Sequence, residues 1–177
     1  MIHSFPLPGQ TISVDSDTPS DAAPPSSVDD LCSWHIDHSL LTGLVPAQYM
    51  FHPSSSAPDF HPIPCPAQSA GLFIRPRSGD EVVRAAMPSN CLGFQTGEAL
   101  QVLSKGRLQA TPHCVQAGNV GGLASEAVRE ALPKGVTGRG YVSRETMAVF
   151  LQPNVDVQLD EKQTFGQFSD AIFKSHY

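Results

Sequence analysis

This sequence predicts a mainly β fold: a sandwich or barrel of short strands with helices packed outside it. From Ala70 onward, short runs of β-branched, aromatic and aliphatic residues are separated by Pro or Gly turns. In residues 144–152, Met147, Val149 and Leu151 alternate with Ala148 and Phe150, apolar on both sides, which is the pattern of a strand buried on both faces. Two stretches carry a helical pattern instead: residues 122–132, stopped by Pro133, and a segment from Thr164 to the C-terminus.

Taken in order, residues 9–30 are rich in Ser, Pro and Asp and poor in large apolar side chains, so burial cannot offset their ordering entropy. They are expected to form a mobile insert or tail, and residues 1–30 as a whole to be disordered or the remnant of an N-terminal region. Residues 31–48 are short and semi-apolar, and hold Trp34 with the densest cluster of metal-capable side chains. Residues 52–68 are dense in proline, which removes a backbone donor at each occurrence, and are expected to be a long surface loop. Strands are expected at 71–75, 82–87, 91–95, 107–111 and 144–152. In the last helix Thr164 is placed to cap, and Phe165, Phe168, Ile172 and Phe173 form an apolar stripe. Leu100, Leu103, Phe73, Phe94 and Phe150 are expected in the core.

A chain of 177 residues with 40% hydrophobic side chains is long enough for one domain with a core. Eleven of its 16 prolines precede residue 67, so the first third is expected to be loop-rich. Every Lys and Arg lies at or after Arg75, and the formal net charge is −6. Neither half offers a basic face, which excludes a nucleic-acid partner. The N-terminal residues carry neither a basic leader with an apolar stretch nor an Arg-rich transit pattern, so the expected compartment is the cytoplasm. No apolar run approaches the roughly 18 residues of a spanning helix, which excludes a membrane partner. Cys32, Cys65, Cys91 and Cys114 match neither a zinc motif nor a dense disulfide scaffold, and are expected to be thiols. Oligomeric state is not legible.

In Trp34-His35-Ile36-Asp37-His38, His35 and Asp37 are two residues apart. On a strand that spacing puts both side chains on one face; on a helix they would diverge. An imidazole and a carboxylate there supply two ligands for a divalent metal, and a distant histidine would complete a two-histidine, one-carboxylate set. His3, His52, His61, His113 and His176 are the candidates, with His113, which closes the strand expected at 107–111, favoured because a strand is the more rigid support. His38 points to the opposite face, where packing is its role. A thiolate zinc site using Cys32 with His35 and His113 is a weaker alternative, because Cys32 lies on the other strand face.

The run from Leu92 to His113 contains Gly97-Glu98-Ala99-Leu100, Ser104-Lys105-Gly106 and a final His113. Downstream, Arg144-Glu145-Thr146 opens the strand that continues to Pro153. In this order, after His35-Ile36-Asp37, these motifs resemble the isopenicillin N synthase-like iron and 2-oxoglutarate-dependent dioxygenases over residues 31–177, with Thr146 where that family has Ser. The resemblance implies a double-stranded β-helix, or jelly roll, with flanking helices. It also implies that His35, Asp37 and His113 ligate Fe(II), and that Arg144 and Thr146 hold the distal carboxylate of 2-oxoglutarate. An Arg fork and a hydroxyl are chemically suited to that task. The implied reaction takes dioxygen, oxidises a small organic substrate and releases succinate and CO2. The competing class is a metal-binding jelly roll without turnover.

Three departures accompany the resemblance. Cys114 follows His113 where the family commonly has Arg. Residues 116–141, Gly-rich and holding the 122–132 helix, are expected to be an inserted flap. The early strands that precede the iron motif in the family, with an aromatic residue that helps hold the co-substrate, have at most a remnant in residues 1–6, so the chain is expected to be a truncated form.

Overall fold

The computed structural model describes residues 2–4, 11–14, 30–53, 59–78, 81–118 and 124–176. Along the chain run β1 (Ile2–Ser4), β2 (Thr11–Ser13), β3 (Asp30–His35), β4 (Leu41–Leu44), β5 (Gln48–Pro53), β6 (His61–Ile63), β7 (Gly71–Ile74), β8 (Val83–Arg84) and β9 (Gly93–Thr96). Then come α1 (Glu98–Leu103), β10 (His113–Gln116), α2 (Glu126–Ala131), β11 (Arg139–Thr146), β12 (Ala148–Leu151) and α3 (Phe165–His176). The protein is mainly antiparallel β-sheet with few helices. None of the described helices is long and apolar enough to cross a membrane. The described chain falls into two compact units.

The first unit comprises Met1–Ser33, Pro46–Phe73 and Cys114–Met147. Its sheet is organised by β11, which pairs with β5 along one edge, β6 lying beyond, and with both β1 and β2 along the other. Alternation in β5 buries Tyr49 and Phe51 while Met50 and His52 are half-buried. Phe51, fully buried, joins Ile12, Ile63, Val142 and the α2 residue Val128 in one core. A Cβ at Gly140 would lie 2.5 Å from the Phe51 ring, so the absence of a side chain there is what lets that ring pack on β11.

The second unit comprises Trp34–Val45, Ile74–His113 and Ala148–Tyr177. Here β12, β4 and β9 form a three-stranded antiparallel sheet. Ala99 of α1 packs with Leu159, Phe165 and Phe168, joined by Leu40, Val102 and Ile172. The α3 stripe is buried at Phe165 and Phe168, while Phe173 is exposed and meets the His38 ring edge-on at 5.9 Å between centroids. A further sheet has the strand order β3, β10, β7, β8.

Several expectations are corrected. Residues 107–111 form no strand; the chain there is held by Ser104, whose hydroxyl accepts from Leu108 N, and by Gln101, which accepts from Ala110 N. Residues 144–152 are not one strand buried on both faces. The ladder breaks at Met147, and β12 leaves Val149, Phe150 and Leu151 exposed. Of the expected core residues, Phe94 and Leu103 are also exposed. The proline-rich 52–68 stretch carries the end of β5 and all of β6, with Ile63 buried, because Pro62 sits in a strand at the edge of its sheet. Within the stretch read as mobile, β2 pairs with β11 and buries Ile12, and Asp30 opens β3; the rest of that reading, residues 9–10 and 15–29, lies outside the described residues. The helix expected at 122–132 begins after Ser125, whose hydroxyl accepts from Val128 N; residues 119–123 of the expected flap also lie outside the described residues.

Candidate metal centre

His35 closes β3, Asp37 follows in the extended stretch before β4, and His113 opens β10, the neighbour of β3 in its sheet. The structure brings these three together, with one ligand atom of each lying within 4.8 Å of the others. Oδ1 of Asp37 is 3.6 Å from Nε2 of His35 and 3.8 Å from Nε2 of His113. Both gaps exceed a hydrogen bond and are small enough for one cation to touch all three atoms. Asp37 and His113 are buried, whereas the His35 side chain is 38% exposed, so the group is open on one side.

The other carboxylate oxygen is already engaged. Oδ2 of Asp37 accepts from Thr42 Oγ1 at 2.5 Å and from Gln95 Nε2 at 2.6 Å. Thr42 also shares a 3.0 Å hydroxyl contact with Ser39. On His113, Nδ1–H donates to the Thr111 carbonyl at 2.9 Å, leaving Nε2 with its lone pair. That is the tautomer a metal requires. Burial by itself would push the Asp37 carboxyl up; the adjacent His35 imidazole, the hydrogen bonds from Thr42 and Gln95 and the charge of His113 outweigh it and hold the carboxyl at about 2.

The backbone around Asp37 is set by the Gly97-Glu98 pair. Glu98 N donates to the Asp37 carbonyl at 2.7 Å and Gly97 N to that of Leu40 at 3.0 Å. A Cβ on Gly97 would lie 2.0 Å from the Ser39 carbonyl oxygen. Glycine is therefore needed for the entry to α1 to approach residues 37–40, a physical reason for the Gly-acid motif.

Arg144 and Thr146, two apart on β11, share a face of that strand. Arg144 lies opposite Tyr49 in the ladder, near its phenol, and among the described residues its buried Nε has no hydrogen-bond partner. The cavity beside it is lined largely by apolar side chains, among them Leu31, Pro66, Ala117 and Val142. An Arg fork is chemically suited to hold an anion. Glu145, the adjacent acid, lies on the opposite strand face and accepts from the Ser143 hydroxyl at 2.8 Å. Burial, then the neighbouring Cys65 thiol, push Tyr49 up to about 12, with Arg144 pulling the other way.

Sequence reasoning missed Thr42, Gln95 and Tyr49. Tyr49 had a usable signal, its alternation with Phe51; Thr42 and Gln95 had none, because their role arises from strand pairing. Phe150 lies opposite Thr42, which lies opposite Gln95, so these three share one sheet face. Phe150 is 52% exposed there, with Leu44 and Ala148 on the same face and Met87 packed over Gly93. Cys32, exposed, and His52 and His61 take no part in the cluster. Among the described residues no two cysteines are joined.

No protein-family model matches this sequence, and no curated protein matches it. Solved structures do. A Shewanella oneidensis protein named as an oxygenase superposes with a TM-score of 0.52 at 16% identity, covering 93% of this chain and 44% of its own. A full-length Neurospora crassa protein in complex with alpha-KG and thymine gives 0.48 at 14% identity, covering 84% of this chain and 38% of its own. A dioxygenase for auxin oxidation from Arabidopsis thaliana, in complex with 2-oxoglutarate, gives 0.37 at 19% identity, covering 80% and 41%. The first of these shows that the chain shares the fold of an oxygenase structure. The chain spans less than half the length of each of the three.

Proposed function

We propose that this protein is a non-haem Fe(II)/2-oxoglutarate-dependent dioxygenase of the isopenicillin N synthase-like type, built on a jelly roll, that oxidises a small organic substrate in the cytoplasm. The observation that carries the reading is the His35–Asp37–His113 cluster, two imidazoles and one carboxylate open on one side, in a chain that shares its fold with an oxygenase. The donor set fits the metal. Bound there, Fe(II) would supply the redox chemistry by which dioxygen converts 2-oxoglutarate to succinate and CO2 and oxidises the substrate.

The chain's own residues divide the remaining work. His113 presents a lone pair because Thr111 holds its other nitrogen, and Asp37 offers a single oxygen because its second is already bonded. Arg144 and Thr146 hold the far carboxylate of 2-oxoglutarate; the buried Nε of Arg144, unbonded among the described residues, supports this. Leu44, Met87 and Phe150 offer an apolar face, exposed at Phe150, on which the apolar part of the substrate can rest.

Anaerobic addition of Fe(II) and 2-oxoglutarate should produce a weak visible charge-transfer band, and admission of oxygen should release succinate. A band without succinate would favour the second reading, a metal-binding relative without turnover. Absence of the band would remove both.

A further inference from the structure

The hydrogen bonds around Asp37 do more than neutralise a buried charge. Both donors, Thr42 and Gln95, fall on Oδ2, and both imidazole nitrogens stand nearest Oδ1. The carboxylate is thus divided into one oxygen committed to the protein and one left for a ligand. Gln95 is placed still more pointedly: its Nε2 is also 3.1 Å from Nε2 of His113. An amide NH2 has two hydrogens, and here each meets an acceptor, the carboxylate oxygen and the imidazole lone pair. Turning the amide over would set its carbonyl oxygen against both acceptors, so the orientation is determined by its surroundings.

We propose that Gln95 and Thr42 are positioning residues for the metal: together they keep Oδ2 out of the coordination sphere, so that Asp37 binds through Oδ1 alone. Without a metal, Gln95 occupies the lone pair of His113; on metal entry it surrenders that bond and keeps the one to Asp37. The consequence is an open site. A carboxylate free to turn would offer both oxygens and take a position that co-substrate or dioxygen needs. The inference rests on the metal assignment above and adds to it the residues that set the denticity of its carboxylate.

Co(II), added alone to the 177-residue chain, tests it, because its visible absorption weakens as coordination number rises. Gln95→Met keeps the length of the side chain and removes both donors; the band intensity per bound Co(II) should fall, and affinity should drop about ten- to hundredfold, as is usual when a partner of a metal ligand is lost. Thr42→Val should shift the spectrum in the same direction and carries the test if Gln95→Met does not fold. Thr42→Ser, which retains the hydroxyl, should restore the wild-type spectrum. Wild-type spectra in both Gln95→Met and Thr42→Val would overturn the proposal, even if affinity fell, since weaker binding with unchanged coordination means that these side chains only pack. Failure of the wild-type protein to bind Co(II) would overturn the metal assignment along with it.

Discussion

Replacing Arg144 by lysine isolates the co-substrate role from the metal. Arg144 brings to its cavity a positive charge beside the Tyr49 phenol and one buried Nε that has no hydrogen-bond partner among the described residues. Lysine keeps the charge and loses the planar fork. A hydrogen bond between charged groups contributes about 1.5–3 kcal/mol, so losing one should weaken 2-oxoglutarate binding about ten- to hundredfold. Arg144 is not one of the three clustered metal-site residues, so metal affinity should hardly change. Thr146→Val removes one neutral hydroxyl bond and should cost less, about 0.5–1.5 kcal/mol. The ranking is the claim. Anaerobic calorimetric titration of the Fe(II)-loaded proteins with 2-oxoglutarate measures it, with a metal titration of each variant as control. Equal affinity in wild type and Arg144→Lys would refute the assignment, and an effect of Thr146→Val larger than that of Arg144→Lys would refute the reasoning from charge.

The site and its support can be probed separately. Alanine at His35, Asp37 or His113 should each abolish tight Fe(II) binding; wild-type affinity in His113→Ala would sink the three-ligand assignment. Gly97→Ala should lower stability by about 1–3 kcal/mol, the usual cost of overpacking, because its Cβ would collide with the Ser39 carbonyl, and a thermal melt indistinguishable from wild type would contradict the close approach described. In metal-free protein, the fold lowers the Asp37 carboxyl from 3.8 to about 2, so it favours the ionised form. That stabilisation is complete above about pH 4 and is lost as pH falls through about 2, amounting to about 2 kcal/mol. Denaturant unfolding with a chelator should therefore show wild type losing its advantage over Asp37→Asn across that window, and parallel curves would count against it.

Local pattern in the sequence determined much of what the structure contains. The period-2 runs placed β7 and β9 to within a residue or two, the helical stripe placed α3, and the His-x-Asp spacing with a distant histidine named a cluster the structure assembles, although His113 opens β10 and does not close a strand at 107–111. These are properties of near neighbours, and backbone geometry translates them directly into shared faces. Tertiary structure decided the rest. Gln95 reaches Asp37 across 58 residues because β9 pairs with β4, and Tyr49 meets Arg144 because β5 pairs with β11; neither pairing leaves a periodic trace in the chain. The same holds for Phe150, apolar in sequence and exposed on β12, since alternation reveals which residues share a face but not whether anything covers that face. Strand register, a long-range balance of packing and hydrogen bonding, converted a recognisable ligand motif into a site with a divided carboxylate and an imidazole held in the required tautomer.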